Sequence, residues 1–576
     1  MSSVDRSYQF THSNTQRRAS VVYGSVGKGG LFLPSDFIGS PSRQQQDEST
    51  IEDEQVPLIL QPPPQKLRRK SSINQELLHE ERDFLEDNNI HVKDNEEDVR
   101  NTFENAIKNK EIKTTTAKIE LKSLVKSSIP LVMTFLLQNS LSTVSVFTVG
   151  HLGATELAAV SMGAMTANIT GYATIQGIAT ALDTLCPQAF GAKKHKLVGA
   201  YLQKCTTLIF CIMLPILFIW IFYGYDLITL LLPDKETAKL SAVYLKYLAF
   251  GIPGYILFEC GKRFLQAQGV YHISTYVLLF AAPSNLIMNV LLVKHMGYLG
   301  APIAVAINYW LMIIGLILFT IFFINEDNTP TGVHPLECWK SINFKDCFEG
   351  WGKLSSLAIP GLIMLEAEFL AFEILTLMAS YLGTIPLAAQ SIGTTMASLT
   401  YQVPFAIGIA SSTRIANFLG AGLGEAAKIT TKVALLFGLL VSVVNFLALF
   451  IFQKQIAYLF TDNEKVIKTV LKIMWLIALM QISDAMNANS AGCLRGQGNT
   501  RIGGIVNVAS YYFIGLPLSL YLSFYSPWKG SLHGLWIGST VALTIVGGVQ
   551  SYYSLTADFN KLREEARKRT SIPIHV

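Results

Sequence analysis

Long apolar stretches separated by short polar segments fill the chain from about residue 120 to 555, whereas the preceding residues are mostly polar and charged. A helix needs ~20 apolar residues to cross the ~30 Å hydrocarbon core of a bilayer. Twelve stretches meet this requirement, so the pattern predicts an all-α membrane protein with twelve transmembrane helices. The predicted spans are 126–148, 157–181, 198–223, 239–260, 273–293, 299–324, 354–380, 387–411, 427–452, 467–493, 502–524 and 531–555.

An internal repeat divides these spans into two sets of six, because residues 129–290 recur at 359–519. The block His151–Gly163 returns as Tyr381–Gly393, with seven of thirteen positions identical at an offset of 230. An even number of spans makes both copies enter the membrane in the same direction. The repeat therefore predicts two parallel six-helix lobes around a central cleft, which suits transport by alternating access.

Basic residues mark one side of the predicted membrane domain. They concentrate in the even-numbered connections and in the tail after the last span, so the positive-inside rule places both termini in the cytoplasm. The predicted organisation is a disordered cytoplasmic tail (1–119), an N-lobe (120–324), a cytoplasmic linker (325–353), a C-lobe (354–555) and a cytoplasmic C-terminal tail (556–576).

The composition of 50% apolar and 15% charged residues excludes an ordinary soluble protein. The net charge of +5 does not indicate nucleic-acid binding, because the basic residues cluster at helix ends and in the tails, where they orient the membrane domain. Seven cysteines imply no disulfide framework, and the spacing of His334, Cys338 and Cys347 predicts no metal site. In the N-terminal tail, the basic runs ending in Ser20 and Ser71 suit a basic-directed kinase or contact with anionic lipid, although a plain solvated tail is favoured.

Carboxylates inside the spans are the main candidates for function, because an ionised group at mid-membrane costs at least ~2.5–3.5 kcal/mol. Span seven contains Glu366, Glu368 and Glu373, and span ten contains Asp484. Any one of them could be satisfied by a local base or a hydrated gap, but four in one lobe indicate a site. At the repeat offset their counterparts in the first lobe are neutral, namely Leu136, Gln138, Thr143 and Tyr255.

Helix geometry does not rank the three glutamates. Glu366 and Glu373 project within about 20° of each other, whereas Glu368 lies about 140° from Glu373 on an ideal helix. All three can face one cavity only if the helix is distorted, which Pro360 could promote.

Two other acids near span ends have structural explanations. Glu259 lies close to Lys262 and Arg263, and an ion pair at the membrane interface accounts for it without a transport role. Asp183 lies near the end of span two and is expected to cap or order the following loop.

A carboxylate buried in a low-dielectric site can take up a proton near neutral pH, so a proton and an organic cation can compete for it. Antiport follows if each ligand favours a different arrangement of the lobes. The nearby aromatic residues could add cation–π contacts, although such a stripe is more often core packing. These residues are Phe369, Phe372, Tyr401 and Phe405.

Several motifs together resemble the multidrug and toxic compound extrusion family. They are Leu182–Ala192, Pro404–Asn417 and Cys493–Gly498, with Gly503–Asn507 and Gly515–Pro517 further on. The resemblance implies twelve helices in two lobes, no cofactor, and export of organic cations or drugs in exchange for protons or, less favoured, sodium. It places coupling on Glu368, Glu373 and Asp484, with Asn168, Tyr401 and Glu366 as accessory positions, and the extended tail resembles the fungal branch.

One departure from that family concerns the substrate, because Phe369-Leu370 stands where broad-specificity relatives often carry two tryptophans.

The main alternative function is a flippase for lipids or lipid-linked precursors, which would need basic residues in a lipid-open groove. A membrane enzyme is disfavoured because the chain lacks a His-rich cluster, a nucleophile elbow and a phosphate loop. The sequence leaves the substrate and the choice between plasma and vacuolar membrane open.

Overall fold

The structure is a computed structural model. It describes residues 115–570, except 150, 151, 153, 232–234, 325–333, 340, 342–346, 461–463 and 527–529, together with Arg82, Leu85, Ile90 and Thr102. Most of the predicted N-terminal tail, with both proposed kinase sites, and the last six residues lie outside the described part. The predicted domain boundaries stay predictions.

Each of the six predicted N-terminal spans coincides with a helix, and these helices form the N-lobe. They are α1 (Ala117–Val149), α2 (Ala154–Ala167, a π-helical segment Asn168–Ala173 and Thr174–Gly191), α3 (His195–Phe222), α4 (Lys235–Leu248 and Ile252–Ala267), α5 (His272–Met296) and α6 (Gly300–Phe322). A short helix, Gly224–Leu231, lies between α3 and α4.

The second six predicted spans form the C-lobe in the same order. Its helices are α7 (Trp351–Ser380), α8 (Thr384–Gly420), α9 (Gly424–Ile451), α10 (Glu464–Gln497), α11 (Thr500–Val508, a π-helical segment Ala509–Gly515 and Leu516–Phe524) and α12 (His533–Thr556). The short helix Gln453–Phe460 precedes α10, and α13 (Phe559–Thr570) follows α12. All regular elements in the described part of the chain are helical.

Length and composition alone identify six membrane-spanning segments among the described residues, one of which joins α5 and α6. The two parts of α4 form a seventh when they are taken as one span, and they meet at an angle of 54°. Pro253 lies in the first turn of the second part, where its missing N–H breaks no helical hydrogen bond. Helices α1, α2, α7 and α8 lie outside this set.

The linker between α6 and α7, the start of α1 and the end of α12 lie on the same side of the domain, because the helices alternate in direction. This side is called the linker face below. One apolar cluster at this face joins both lobes, containing Leu124 and Leu131 of the N-lobe with Phe418 and Leu419 of the C-lobe. The N-terminal segment reaches the same cluster through Leu85, which is fully buried.

The C-terminal segment was predicted as a tail, and residues 559–570 of it form α13, which packs on the linker face. Phe559, Leu562 and Ala566 are buried in the cluster that joins the lobes. The carbonyl of Arg569 accepts a hydrogen bond from the Tyr201 hydroxyl at 2.8 Å. Helix α13 thus contacts both lobes.

Candidate functional site

A cavity of about 470 Å³ lies between the two lobes. Helices α1, α2 and α4 supply most of its N-lobe wall, and α7, α8 and α10 supply its C-lobe wall. Equivalent helices of the two repeats therefore face each other across it. A ligand bound in this cavity would contact both lobes at once.

Three of the four predicted carboxylates, Glu368, Glu373 and Asp484, line the C-lobe wall. Asp484 is only 4% exposed, and Glu368 and Glu373 are partly exposed toward the cavity. Helices α7 and α10 thus bring residues more than a hundred positions apart to one surface. Among the described residues, no group of three or more His, Cys, Asp or Glu side chains is arranged to hold a metal ion.

Neutral donors contact the carboxylate of Glu368. The Asn487 amide donates a hydrogen bond to Glu368 Oε2 at 3.2 Å, and the Tyr401 hydroxyl also bonds to this carboxylate. Asn487 lies one helical turn after Asp484 on α10, so the same segment supplies an acid and a donor. The base Arg495 interacts with Glu368 electrostatically.

Glu366 is separated from this group. Its side chain accepts a hydrogen bond from Thr174 of the N-lobe at 3.0 Å and does not line the cavity. The cavity-lining residues of α7 follow the spacing of a single broad helix face, with Glu368 and Glu373 at its two edges. Glu366 projects about 20° beyond Glu373 and falls just outside that face.

The remaining predicted accessory residues, Asn168 and Tyr401, both line the cavity. Asn168 begins the π-helical segment of α2, and such segments often occur at functional sites because they expose backbone and reorient side chains. Phe369, Phe372 and Phe405 also line the cavity.

A family model described as MatE matches the chain twice, over residues 130–291 and 360–521. The two matches correspond to the two halves of the internal repeat. The chain belongs to the MatE family of transporters. Membership agrees with the resemblance found in the sequence motifs and with the two-lobe helical fold.

The MatE relatives include a protein of Saccharomyces cerevisiae described as an uncharacterized transporter, which is 42% identical over 78% of this chain and 63% of its own length. The chain thus spans somewhat less than two thirds of that relative. Multidrug and toxin extrusion protein 2 of Mus musculus is 30% identical over 79% of this chain and 77% of its own length. The crystal structure of the eukaryotic MATE transporter AtDTX14 superposes with a TM-score of 0.71, at 28% identity, covering 79% of this chain and 99% of that one.

The N-lobe wall of this MatE cavity is also charged, which the sequence analysis did not anticipate. Glu259, Lys262 and Arg263 line it, because α4 continues to Ala267 and carries them inside the protein. The expected ion pair is present, with Lys262 Nζ 2.7 Å and Arg263 Nη1 2.5 Å from the Glu259 carboxylate. The pair is buried inside the protein, since all three side chains are at most 6% exposed, and its depth in the membrane stays a prediction.

Asp183 does not cap a loop, because α2 continues for eight residues beyond it to Gly191. Its buried carboxylate lies 3.1 Å from Arg263 of the N-lobe and 3.9 Å from Arg495 of the C-lobe. Thr184 next to it donates a hydrogen bond to the Arg495 carbonyl at 2.5 Å. Asp183 thus belongs to the contact between the lobes.

The lobes meet most closely on the linker face. Gly191 of α2 and Gly420 of α8 are equivalent residues of the two repeats, and each packs against the backbone of the other helix. A Cβ on Gly191 would overlap the Asn417 carbonyl, and one on Gly420 would overlap the Gln188 carbonyl. Glycine permits this close approach of two backbones, so the cavity is closed toward the linker face.

A chain of buried polar side chains holds α7 in the C-lobe. Ser490 of α10 donates to Gln550 of α12 at 3.3 Å, and Gln550 donates to Asn507 of α11 at 2.7 Å. Asn507 then donates to the Met364 carbonyl of α7 at 2.8 Å. These bonds keep Glu368 on α7 in register with Asp484 on α10.

Sequence reasoning identified the acids but missed the polar N-lobe wall. Gln138, Gln176 and Tyr255 line the cavity. Gln138 donates a hydrogen bond to Glu259 at 2.6 Å, and Gln176 donates one to the Tyr255 hydroxyl at 2.7 Å. The internal repeat could have predicted two of these residues, because Gln138 and Tyr255 are the repeat counterparts of Glu368 and Asp484.

Proposed function

We propose that the protein exports organic cations, such as drugs or toxic metabolites, in exchange for protons by alternating access. The observation that carries the proposal is the presence of Glu368, Glu373 and Asp484 on one wall of a cavity between two lobes. The name of the mouse relative, multidrug and toxin extrusion protein 2, supports drugs and toxins as substrates but says nothing of their charge.

The proton is the favoured coupling ion for a physical reason. Two carboxylates that share a low-dielectric site cannot both be ionised cheaply, so one takes up a proton or a cation. The neutral side chains of Asn487 and Tyr401 can donate hydrogen bonds to Glu368 when it is ionised, and they leave it free to be protonated. Sodium is the alternative coupling ion, and a flux assay distinguishes the two.

Organic cations suit the remaining surface of the cavity. Phe369, Phe372, Tyr401 and Phe405 surround the acids, and Phe135 of the N-lobe meets Phe405 edge-on with ring centroids 4.9 Å apart. Aromatic faces attract cations by ~0.5–2 kcal/mol, more when water is excluded. A ligand in this place would contact both lobes.

Exchange requires that each ligand favour a different arrangement of the lobes. Because the lobes meet at the linker face, we infer that a ligand enters the cavity from the opposite side. Proton binding at the acids from that side and release of the organic cation form one half-cycle. Opening of the linker face, with loss of the contacts around Gly191 and Gly420, would form the other.

The linker face is proposed to be cytoplasmic, since the loops on this side carry most of the Lys and Arg residues. Export then moves the cation from the cytoplasm to the outside or into a vacuole. The plasma and vacuolar membranes both remain consistent with this orientation.

A flippase is the second candidate, and Lys262 and Arg263 in the cavity are the observation in its favour. Their charges are already matched, because Glu259 contacts both bases and Asp183 contacts Arg263. A lipid phosphate would have to displace these carboxylates, which makes the cation exporter the better-supported function.

Reconstitution into proteoliposomes tests the proposal. An imposed pH gradient should drive uptake of radiolabelled tetraethylammonium, a permanently charged probe that does not distribute as a neutral base. Glu373→Gln and Asp484→Asn should reduce this uptake by about tenfold or more. Glu464→Gln is the control, because it removes an 82% exposed carboxylate at the start of α10, outside the cavity.

The outcomes separate the alternatives. Uptake driven by a sodium gradient and indifferent to pH would transfer coupling to sodium. Unchanged proton-driven uptake in both cavity variants would contradict the proposed coupling site. Transfer of a fluorescent phospholipid between leaflets, without flux of the cation, would favour the flippase.

A further inference from the structure

The two walls of the cavity are built from equivalent residues of the repeats. At offsets of 230 and 229, Gln138 corresponds to Glu368 and Tyr255 corresponds to Asp484, and all four line the cavity. The N-lobe therefore contains a counterpart of the acidic site, in which neutral side chains replace the two carboxylates.

An ammonium group already occupies this N-lobe counterpart. Lys262 Nζ donates to Gln138 Oε1 at 2.9 Å and to Glu259 Oε1 at 2.7 Å. It lies 5.1 Å from the centre of the Phe135 ring and 5.7 Å from that of Phe258. Two oxygen acceptors and two aromatic rings are the surroundings expected of a bound organic ammonium ion.

The matching position of α10 in the C-lobe carries no lysine. The repeat counterparts of Glu259 and Lys262 on α10 are Ala488 and Ala491, both buried. The base of α10, Arg495, lies a full turn further toward the linker face, where it approaches Asp183. Among the described residues, Glu368 therefore has no hydrogen-bonded ammonium of the kind that Gln138 has in Lys262. The Arg495 guanidinium, 5.8 Å from the centre of the Phe405 ring, interacts with Glu368 only electrostatically.

We propose that Lys262 is a tethered cation that fills the N-lobe copy of the ligand position, so that the cavity binds one organic cation, at the acids of the C-lobe. The inference rests on the proposed function for the C-lobe site, but its N-lobe part stands on the contacts of Lys262 alone. It also gives Lys262 a role in the cavity that requires no anionic ligand.

The first experiment vacates the N-lobe position. Lys262→Ala removes three methylene groups and the ammonium, which together match n-propylammonium. In detergent, n-propylammonium should bind the purified variant with an affinity about tenfold or more above that for the wild type, measured by calorimetry and by the rise in unfolding temperature. Neutral n-propanol should not reproduce the effect, and adding Glu259→Gln should abolish it.

Lys468→Ala is the matched control, because Lys468 forms an exposed ion pair with Glu464 at 3.6 Å. Equal binding of n-propylammonium by wild type, Lys262→Ala and Lys468→Ala would overturn the assignment. This arm needs no gradient and no organic-cation substrate, so it can fail or succeed independently of the proposed transport.

The second experiment places a tethered ammonium in the C-lobe and does not depend on the stability of Lys262→Ala. Ala491→Lys should weaken tetraethylammonium binding by about tenfold or more, because its ammonium competes beside Glu368. Ala491→Leu adds similar bulk without charge and should weaken binding much less. Equal losses in the two variants would overturn the equivalence of the walls.

Discussion

A buried ion pair between the lobes offers the sharpest test of how the linker face is closed. Glu120 at the start of α1 is fully buried and accepts hydrogen bonds from Arg414 Nε at 2.5 Å and Arg414 Nη2 at 2.7 Å. Thr430 of the C-lobe adds a third bond at 2.9 Å, and Thr115 adds one from the N-lobe side at 2.5 Å. The carboxylate is thus enclosed by donors when the face is closed.

The perturbation is Arg414→Met, which leaves the Glu120 carboxylate buried without its guanidinium. Removing one partner of a buried pair costs ~3–5 kcal/mol, because the remaining charge has lost its compensation and is still kept from water. When the face opens, water can reach Glu120 and most of this cost disappears. Since 1.4 kcal/mol corresponds to a factor of ten, the ratio of open to closed protein should rise roughly a hundredfold to several thousandfold.

Spin labels on Lys196 and Glu425, exposed residues on the linker face of the two lobes, would report the distance distribution after replacement of the native cysteines. The variant should gain a population with a longer distance. Exchanging the charges, as Glu120→Arg with Arg414→Glu, should restore much of the closed population.

Glu464→Gln is the control, because it breaks an ion pair whose members are 74% and 82% exposed. Exposed pairs contribute only ~0–1 kcal/mol, so its distance distribution should match that of the wild type. A distribution unaffected by Arg414→Met, or shifted equally by Glu464→Gln, would refute the role assigned to the buried pair.

Three further predictions concern packing and the C-terminal helix. Gly420→Ala should hinder closure of the linker face, because the added Cβ would overlap the Gln188 carbonyl. A thiol reagent applied from the linker face should then react faster with a cysteine introduced into the cavity. An unchanged reaction rate would argue against the close approach of the two helices. Asn507→Leu should lower the unfolding free energy by about 1–3 kcal/mol, because it leaves buried partners such as the Met364 carbonyl without a hydrogen bond. The variant should therefore have a lower melting temperature in detergent. An unaltered melting temperature would show that the bond contributes nothing to stability. Deleting residues 557–576 should raise linker-face accessibility without abolishing folding, and wild-type accessibility would show that α13 does not join the lobes.

The helices and the family could be predicted from sequence because both depend on local or repeated patterns. All twelve predicted spans coincide with helices, although most helices extend beyond the apolar stretch that marked them. Helix α4 shows why, since its last turns carry Glu259 and Lys262, which pair with each other and so remain inside the protein. Hydropathy places the end of a span at the first charged residues, whereas the helix itself ends where its backbone hydrogen bonds stop.

The candidate site was predictable only in part. Glu368, Glu373 and Asp484 were recognisable as acids in apolar spans, and the structure brings them to one cavity. The exclusion of Glu366 was not predictable, because it depends on Thr174, 192 residues earlier in the chain. Pairings between distant helices follow from packing and leave no periodic signal in the sequence.

The amino-acid sequence by itself determined the membrane setting, the twelve helices, the duplication and the asymmetry of acids between the copies. Each of these follows from residue type and spacing, because a bilayer demands long apolar helices and makes an intramembrane charge conspicuous. Only the tertiary structure decided which charges meet: it placed Lys262 beside Gln138, enclosed Glu120 with Arg414 and closed the linker face. Those contacts form where side chains far apart in the chain meet as the helices and the two lobes pack. The attraction between such side chains acts only over a few ångströms, so the pairs can be identified only once the fold is known.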